Sequence, residues 1–161
     1  MDEAEQYRNV AKDVMNQDVP VGFKAGGFSM FPTFWPRFVH YIGKCEPSRL
    51  RRGNVVVFER SDAKWVAHRV VQNADGVLLT RGDSVIKCDP PVAYAKVVGE
   101  VVSTSFWGMR FGLKWWLPTF YGKALLACHP VSTYVNHAGA WCIVKFLNLI
   151  KRIIGKNNNK N

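Results

Sequence analysis

Between residues 21 and 102 the chain carries six short runs of β-branched and aromatic residues, at 21–25, 38–44, 54–58, 65–71, 77–80 and 96–102. No helical pattern of about 10–15 residues separates any two of them, which argues against strand–helix–strand units and a parallel sheet. What remains is an antiparallel sheet, coiled or barrel-like. Turn chemistry agrees. Asp75-Gly76 stands between the fourth and fifth runs as a strong hairpin signal. Arg52-Gly53 breaks the chain ahead of the third. The expected class is therefore mainly β. One short helix precedes the sheet, over residues 3–17, where Tyr7, Val10, Ala11 and Val14 follow helical spacing. Asp2 is placed to cap it and Pro20 lies beyond its end.

After residue 103 the pattern changes, and charge marks the change. Residues 1–100 hold 14 Lys and Arg against all 12 Asp and Glu, a net of +2. Residues 101–161 hold 8 Lys and Arg and no acid, a net of +8, with 10 of the 21 aromatics. The expected organisation is an N-terminal helix in 1–20, a β domain in 21–103, an aromatic and basic appendage in 104–155, and a polar tail in 156–161. Within the appendage, Ile143, Phe146, Leu147, Ile150 and Ile154 give 141–154 one apolar helical face.

Cations interleaved with rings suit nucleic acid or a membrane surface. The longest uncharged stretch, 124–144, contains His129, Pro130, Asn136 and His137, which disfavours a bilayer span. The amphipathic helix with Trp107, Trp115, Trp116, Tyr121 and Trp141 favours an anionic membrane surface as partner over nucleic acid. The expected location is peripheral on a membrane through this region, or cytoplasmic, with the side of the membrane left open. The start, Met1-Asp2-Glu3-Ala4-Glu5, is acidic where a secretory signal is basic. Cys45, Cys88, Cys128 and Cys142 form no CxxC pair. Cys128, His129, His137 and Cys142 fit no standard zinc spacing, so free, half-buried thiols are expected and neither a metal nor a cofactor.

The chemistry concentrates in Gly27-Phe28-Ser29-Met30-Phe31-Pro32-Thr33. A hydroxyl leaves a strand on a short turn, followed by a segment stiffened by Pro32. Serine is a weak nucleophile until a base lies within hydrogen-bond reach, and the base needs an orienting group. His68 is the best base available, because it sits inside a strand and imidazole is largely neutral at neutral pH. It shares a strand face with Val66 and Val70, while Ala67 and Arg69 point the other way. Lys64 is a weaker alternative. The acid is Asp83 or Asp89, both beyond the hairpin. Either residue could also serve as a plain turn cap.

Taken in order, these motifs resemble the signal peptidase I superfamily. The resemblance covers roughly residues 22–102. It rests on Gly27 to Thr33, Leu50-Arg51-Arg52-Gly53-Asn54-Val55-Val56-Val57-Phe58, His68-Arg69-Val70-Val71, Thr80-Arg81-Gly82-Asp83 and Val98-Gly99-Glu100-Val101. Bacterial signal peptidases and LexA-type repressors place a lysine at the strand position held here by His68. A histidine there is similar to the Ser-His-Asp arrangement of the endoplasmic-reticulum and archaeal branch. The resemblance implies Ser29 as nucleophile, His68 as general base and Asp89, six residues past Asp83, as the triad acid, with Asp83 in support. It also implies a leader- or signal-peptide substrate cleaved after small residues.

Three departures accompany it. Gly27 stands where the family often has a Ser or Thr that helps hold the oxyanion, which leaves the Ser29 N–H. The glycine-aspartate before the valine-rich strand is Gly53-Asn54, and Gly82-Asp83 is followed by Ser84-Val85. Residues 1–28 hold no apolar stretch of the length expected for the family's membrane anchor ahead of the serine. Two alternatives stand beside this reading: a LexA-like self-cleaving regulator with the basic tail on DNA, and a non-catalytic descendant that binds peptides or membranes, which the departures at Gly27 and the anchor favour.

Overall fold

The β-branched runs pair as antiparallel strands in the computed structural model, which describes residues 3–35, 38–62, 64–106 and 109–112 and positions 127, 138, 139, 142 and 145. One helix, α1 (Glu3–Asn16), precedes β1 (Val21–Phe23), β2 (Val39–Gly43), β3 (Val55–Glu59), β4 (Trp65–Ala74), β5 (Val77–Arg81), β6 (Val92–Ala93), β7 (Val97–Phe106) and β8 (Met109–Gly112). They form one curled, half-barrel sheet in the order β1-β2-β7-β3-β4-β5-β6, with β8 added beside β7.

The sheet is built around β3 and β7. All four residues Val55, Val56, Val57 and Phe58 are buried, because each face of β3 meets a separate apolar cluster. Val55 and Val57 face Met15, Met30 and Phe34. Val56 and Phe58 face Leu50, Val70 and Leu78. Alternation along a strand divides the four side chains in this way. β7 pairs with β2 through Glu100–Ser105 and with β3 through Val97–Glu100.

The Asp75-Gly76 hairpin joins β4 to β5 with φ of 53° and 80°, the two positive values that a type I′ turn requires. Near its base the β4–β5 register slips between Val70 and Gln72. Such an irregularity bends a strand and re-aims its side chains.

Helix α1 behaves differently from its sequence pattern. Tyr7 and Val10 are 68% and 54% exposed, whereas Met15 is 3% exposed. The helix meets the core through its C-terminal turn, so the stripe begun by Tyr7 and Val10 runs past the sheet. That turn is closed by Asp18, whose φ is 60° and whose N–H donates to the Met15 carbonyl at 3.0 Å. The cap expected from Asp2 lies outside the described residues.

The sheet also runs past the boundary expected at residue 103. Thr104, Ser105 and Phe106 continue β7, and β8 returns along it from Met109. Positions 142 and 145 of the expected 141–154 helix are helical. The rest of that helix, and Trp107, Trp115, Trp116, Tyr121, Cys128, His129, His137 and Trp141, lie outside the described residues. Cys45, Cys88 and Cys142 are free thiols, and of these only Cys45 is half-buried. Among the described residues no helix is long and apolar enough to cross a membrane.

Candidate active site

The Ser29 turn is held in the core at two points. Met30 and Phe34 are 2% and 3% exposed and belong to the cluster beneath β3. Between and beside them the backbone closes on itself. Phe31 N–H donates to the Phe28 carbonyl at 3.0 Å, and Phe34 N–H to the Met30 carbonyl at 2.9 Å. Ser29 is left at the surface of this anchored turn, half-buried.

From there the Ser29 Oγ lies 3.1 Å from His68 Nε2. The other ring nitrogen, Nδ1, lies 2.6 Å from Asp89 Oδ2. Asp89 as a carboxylate accepts only, so Nδ1 carries the proton and Nε2 is free to accept from the serine hydroxyl. Asp89 is itself held twice. Thr80 Oγ1 donates to its Oδ2 at 2.7 Å, and its own N–H donates to the Thr80 carbonyl at 2.8 Å. Burial pushes the Asp89 carboxyl up, but the hydrogen bonds from His68 and Thr80 outweigh burial and leave it below its ordinary value.

Asp83, the other acid expected near the base, takes a different partner. Its Oδ1 receives Arg69 Nε at 2.7 Å and its Oδ2 receives Arg69 Nη2 at 2.7 Å. Arg69 is fully buried and also donates to the Gly53 carbonyl at 2.7 Å and to Thr33 Oγ1 at 2.9 Å. Thr33 Oγ1 in turn donates to Asp83 Oδ2. The adjacent strand residues His68 and Arg69 point to opposite faces, so β4 supplies a base to one side and a structural cation to the other. This network ties the Ser29 turn, the Gly53 turn, β4 and the Asp83 loop together.

A second clamp acts on the serine backbone. Ser84 N–H donates to the Ser29 carbonyl at 2.9 Å, and Ser84 Oγ donates to the Phe28 carbonyl at 2.6 Å. Gly82 makes that approach feasible: a Cβ there would lie 2.6 Å from the Ser29 carbonyl oxygen and 3.1 Å from Ser29 Cβ. Any side chain at position 82 would push the two loops apart.

The fold thus brings Ser29, His68 and Asp89 into one chain of contacts and directs Asp83 to Arg69. Gly27 lines the adjoining cleft, and a Cβ added there meets nothing within 4 Å. Lys64 is exposed and pairs with Asp62 at 3.5 Å. His40 is fully buried behind the cleft, stacked on Phe34 with ring centroids 3.8 Å apart. Arg69, Thr80, Thr33 and Ser84 escaped sequence reasoning as site residues. Serines and threonines beside turns are too common to stand out, and only the position of Arg69 next to His68 offered a signal.

The cleft beside Ser29 has a volume of about 410 Å³. One wall is the chain from Phe23 to Gly27, and the other is Trp65 to His68 at the start of β4. Those β4 residues pair with β3 on one edge, while pairing with β5 begins only at Arg69. Comparison of the chain with family models and with curated proteins returns no match.

Proposed function

We propose that the protein is a serine endopeptidase of the signal peptidase I type, cleaving leader or signal peptides after small residues. The observation that carries this reading is the contact chain from Ser29 Oγ through His68 to Asp89, at 3.1 and 2.6 Å. Three groups of these types in this order suit acyl transfer. The open edge of β4 across from residues 23–27 supports an extended peptide substrate, which adds as a strand and presents its backbone to the serine.

In this mechanism Ser29 Oγ attacks the scissile carbonyl as its proton passes to His68 Nε2. The charge that develops on the carbonyl oxygen is met by the Ser29 N–H. Collapse breaks the C–N bond, and His68 returns the proton to the leaving amine. Water then attacks the acyl ester with His68 again as base, and the carboxylate product leaves with the serine hydroxyl restored. Asp89 holds the imidazole in the required tautomer throughout.

The finer location belongs to the same proposal. The basic, aromatic C-terminal region places the enzyme peripherally on an anionic membrane surface, where leader peptides end. Flotation of the full chain with anionic but not neutral vesicles tests that part.

Incubation with a peptide containing an Ala-x-Ala stretch tests the activity. Cleavage after the second alanine by the wild type, and none by Ser29→Ala, is the expected result. Equal turnover by Ser29→Ala removes the assignment. The non-catalytic reading draws on Gly27, which offers no hydroxyl to the cleft, and vesicle binding without any peptidase activity would favour it.

A further inference from the structure

We propose that Ser84 is a positioning residue that aims the oxyanion-binding N–H of Ser29. The inference rests on the peptidase reading above and assigns a role to a residue that touches neither substrate nor the reacting atoms. Ser84 is 5% exposed and spans two consecutive carbonyls of the nucleophile turn. Its hydroxyl holds the Phe28 carbonyl at 2.6 Å and its N–H holds the Ser29 carbonyl at 2.9 Å.

The consequence follows from peptide geometry. In a trans peptide the C=O and the following N–H point in opposite directions within one rigid plane. The Phe28 carbonyl shares its plane with the Ser29 N–H, and the Ser29 carbonyl shares its plane with the Met30 N–H. Ser84 therefore fixes both planes that flank the Ser29 Cα. With the Phe28 carbonyl drawn toward Ser84, the Ser29 N–H is turned away from the Ser84 loop. That N–H donates to no acceptor among the described residues. It is thus an oriented, unspent donor on the nucleophile itself.

The arrangement carries more weight in this chain because Gly27 supplies no side-chain donor. The backbone donor has to be well aimed, and electrostatic stabilisation of a developing charge depends on donors that need no reorientation at the moment of reaction. The Phe28 carbonyl also accepts from Phe31 N–H at 3.0 Å, a bond that does not involve the Ser84 hydroxyl. Loss of that hydroxyl thus loosens the plane without dismantling the turn.

The test uses the full chain, an internally quenched Ala-x-Ala peptide, and a peptide aldehyde whose adduct with Ser29 mimics the tetrahedral intermediate. Ser84→Ala is expected to lower kcat by about tenfold to a hundredfold, below the ~100- to 1000-fold that follows outright removal of a donor. KM should stay within about twofold and aldehyde affinity should fall in step with kcat, because the donor acts on the transition state. Ser84→Thr, which keeps the hydroxyl, should recover most of the rate. Unchanged kcat in a folded Ser84→Ala overturns the proposal, as does a loss confined to KM or one not mirrored in aldehyde affinity. Should Ser84→Ala not fold, Ser84→Cys, with its weaker S–H donor, is read by the same criteria. Reaction of Ser29 with a fluorophosphonate separates the two levels. A wild type that neither cleaves nor is labelled removes the peptidase reading and this inference with it. A wild type that does both, beside an equally fast Ser84→Ala, removes only the role of Ser84.

Discussion

His68 Nδ1 and Asp89 Oδ2 stand 2.6 Å apart, on the edge of the ring opposite Ser29. Asp83, six residues earlier in the chain, is committed instead to a buried ion pair with Arg69 at 2.7 Å. The two acids, between which the resemblance favoured Asp89 for the base, thus have separable roles, and substitution distinguishes them.

Asp89→Asn keeps the shape of the site and loses the acceptor that fixes the imidazole tautomer. A drop in kcat of roughly 10⁴-fold is expected, by analogy with the same change in a Ser-His-Asp protease. Asp83→Asn leaves the Arg69 charge buried without its carboxylate, which costs about 3–5 kcal/mol of stability. Steady-state kinetics and thermal melts on both variants check the pair. Equal effects of the two on melting and on kcat would contradict the division of roles.

Gly27→Ser fits the site, since a Cβ at that position meets nothing within 4 Å. On the peptidase reading a hydroxyl there adds a donor toward the oxyanion, and a rise in kcat of about tenfold is expected, part of what a well-placed donor supplies. Peptide turnover measured side by side with wild type decides it. An unchanged rate would show that the backbone donor already suffices, and a slower variant that the added hydroxyl disturbs the site.

Gly82→Ala places a methyl group 2.6 Å from the Ser29 carbonyl oxygen. The nearest atom is backbone, so relief requires a shift of the Ser29 turn. We expect a stability loss of about 1–3 kcal/mol, as for other overpacked sites. A fall in kcat should accompany it as Ser29 Oγ moves off His68. Denaturant melts with kinetics on the refolded protein test it, and unimpaired turnover would be the contrary result.

His40 makes folding sensitive to acid. Burial lowers its pKa from 6.5 to about 4. Its Nδ1 lies 2.9 Å from Thr104 Oγ1, while its buried Nε2 meets no hydrogen-bond partner among the described residues. Below the unfolded value the unfolded chain takes up a proton that the native chain refuses. Stability is therefore full above pH 6.5, declines as pH falls toward 4, and levels off below that, by roughly 3 kcal/mol at most. Asp89 acts in a lower window. Its depressed carboxyl contributes stability above the ordinary value of 3.8 and loses it as pH falls through the lowered one. Urea midpoints of wild type and His40→Phe at pH 7, 5.5 and 4.5 isolate the first effect. The two proteins should diverge in pH dependence between 6.5 and 4, and parallel curves would rule His40 out.

Much of the sheet could be read from the chain because its strands are long and β-branched and its main hairpin carries Asp75-Gly76. β6 escaped notice because Val92 and Ala93 are only two residues after Pro90-Pro91. β8 begins beyond Gly108 in a stretch that reads as aromatic rather than strand-like. Ser29 and His68 stood out through their motifs. Choosing between Asp83 and Asp89 required knowing which side of β4 each loop reaches, and sequence order does not carry that. Tyr7 and Val10 misled because helical spacing shows which residues share a face, not how far along the helix the partner surface extends.

β7 hydrogen-bonds to both β2 and β3, and among the described strands no other joins those two halves of the sheet. Ser29 belongs to the first half, and His68 and Asp89 to the second. On a ribosome, all three would emerge before the strand that unites them. Until then the Arg69–Asp83–Thr33 network and the Ser84 clamp are available to hold Ser29 near His68 and Asp89, but the strand ladder that joins the two halves is not. On the peptidase reading, synthesis of residues 97–106 is the step that locks the two halves of the site into one sheet, after every group of the site has already been made.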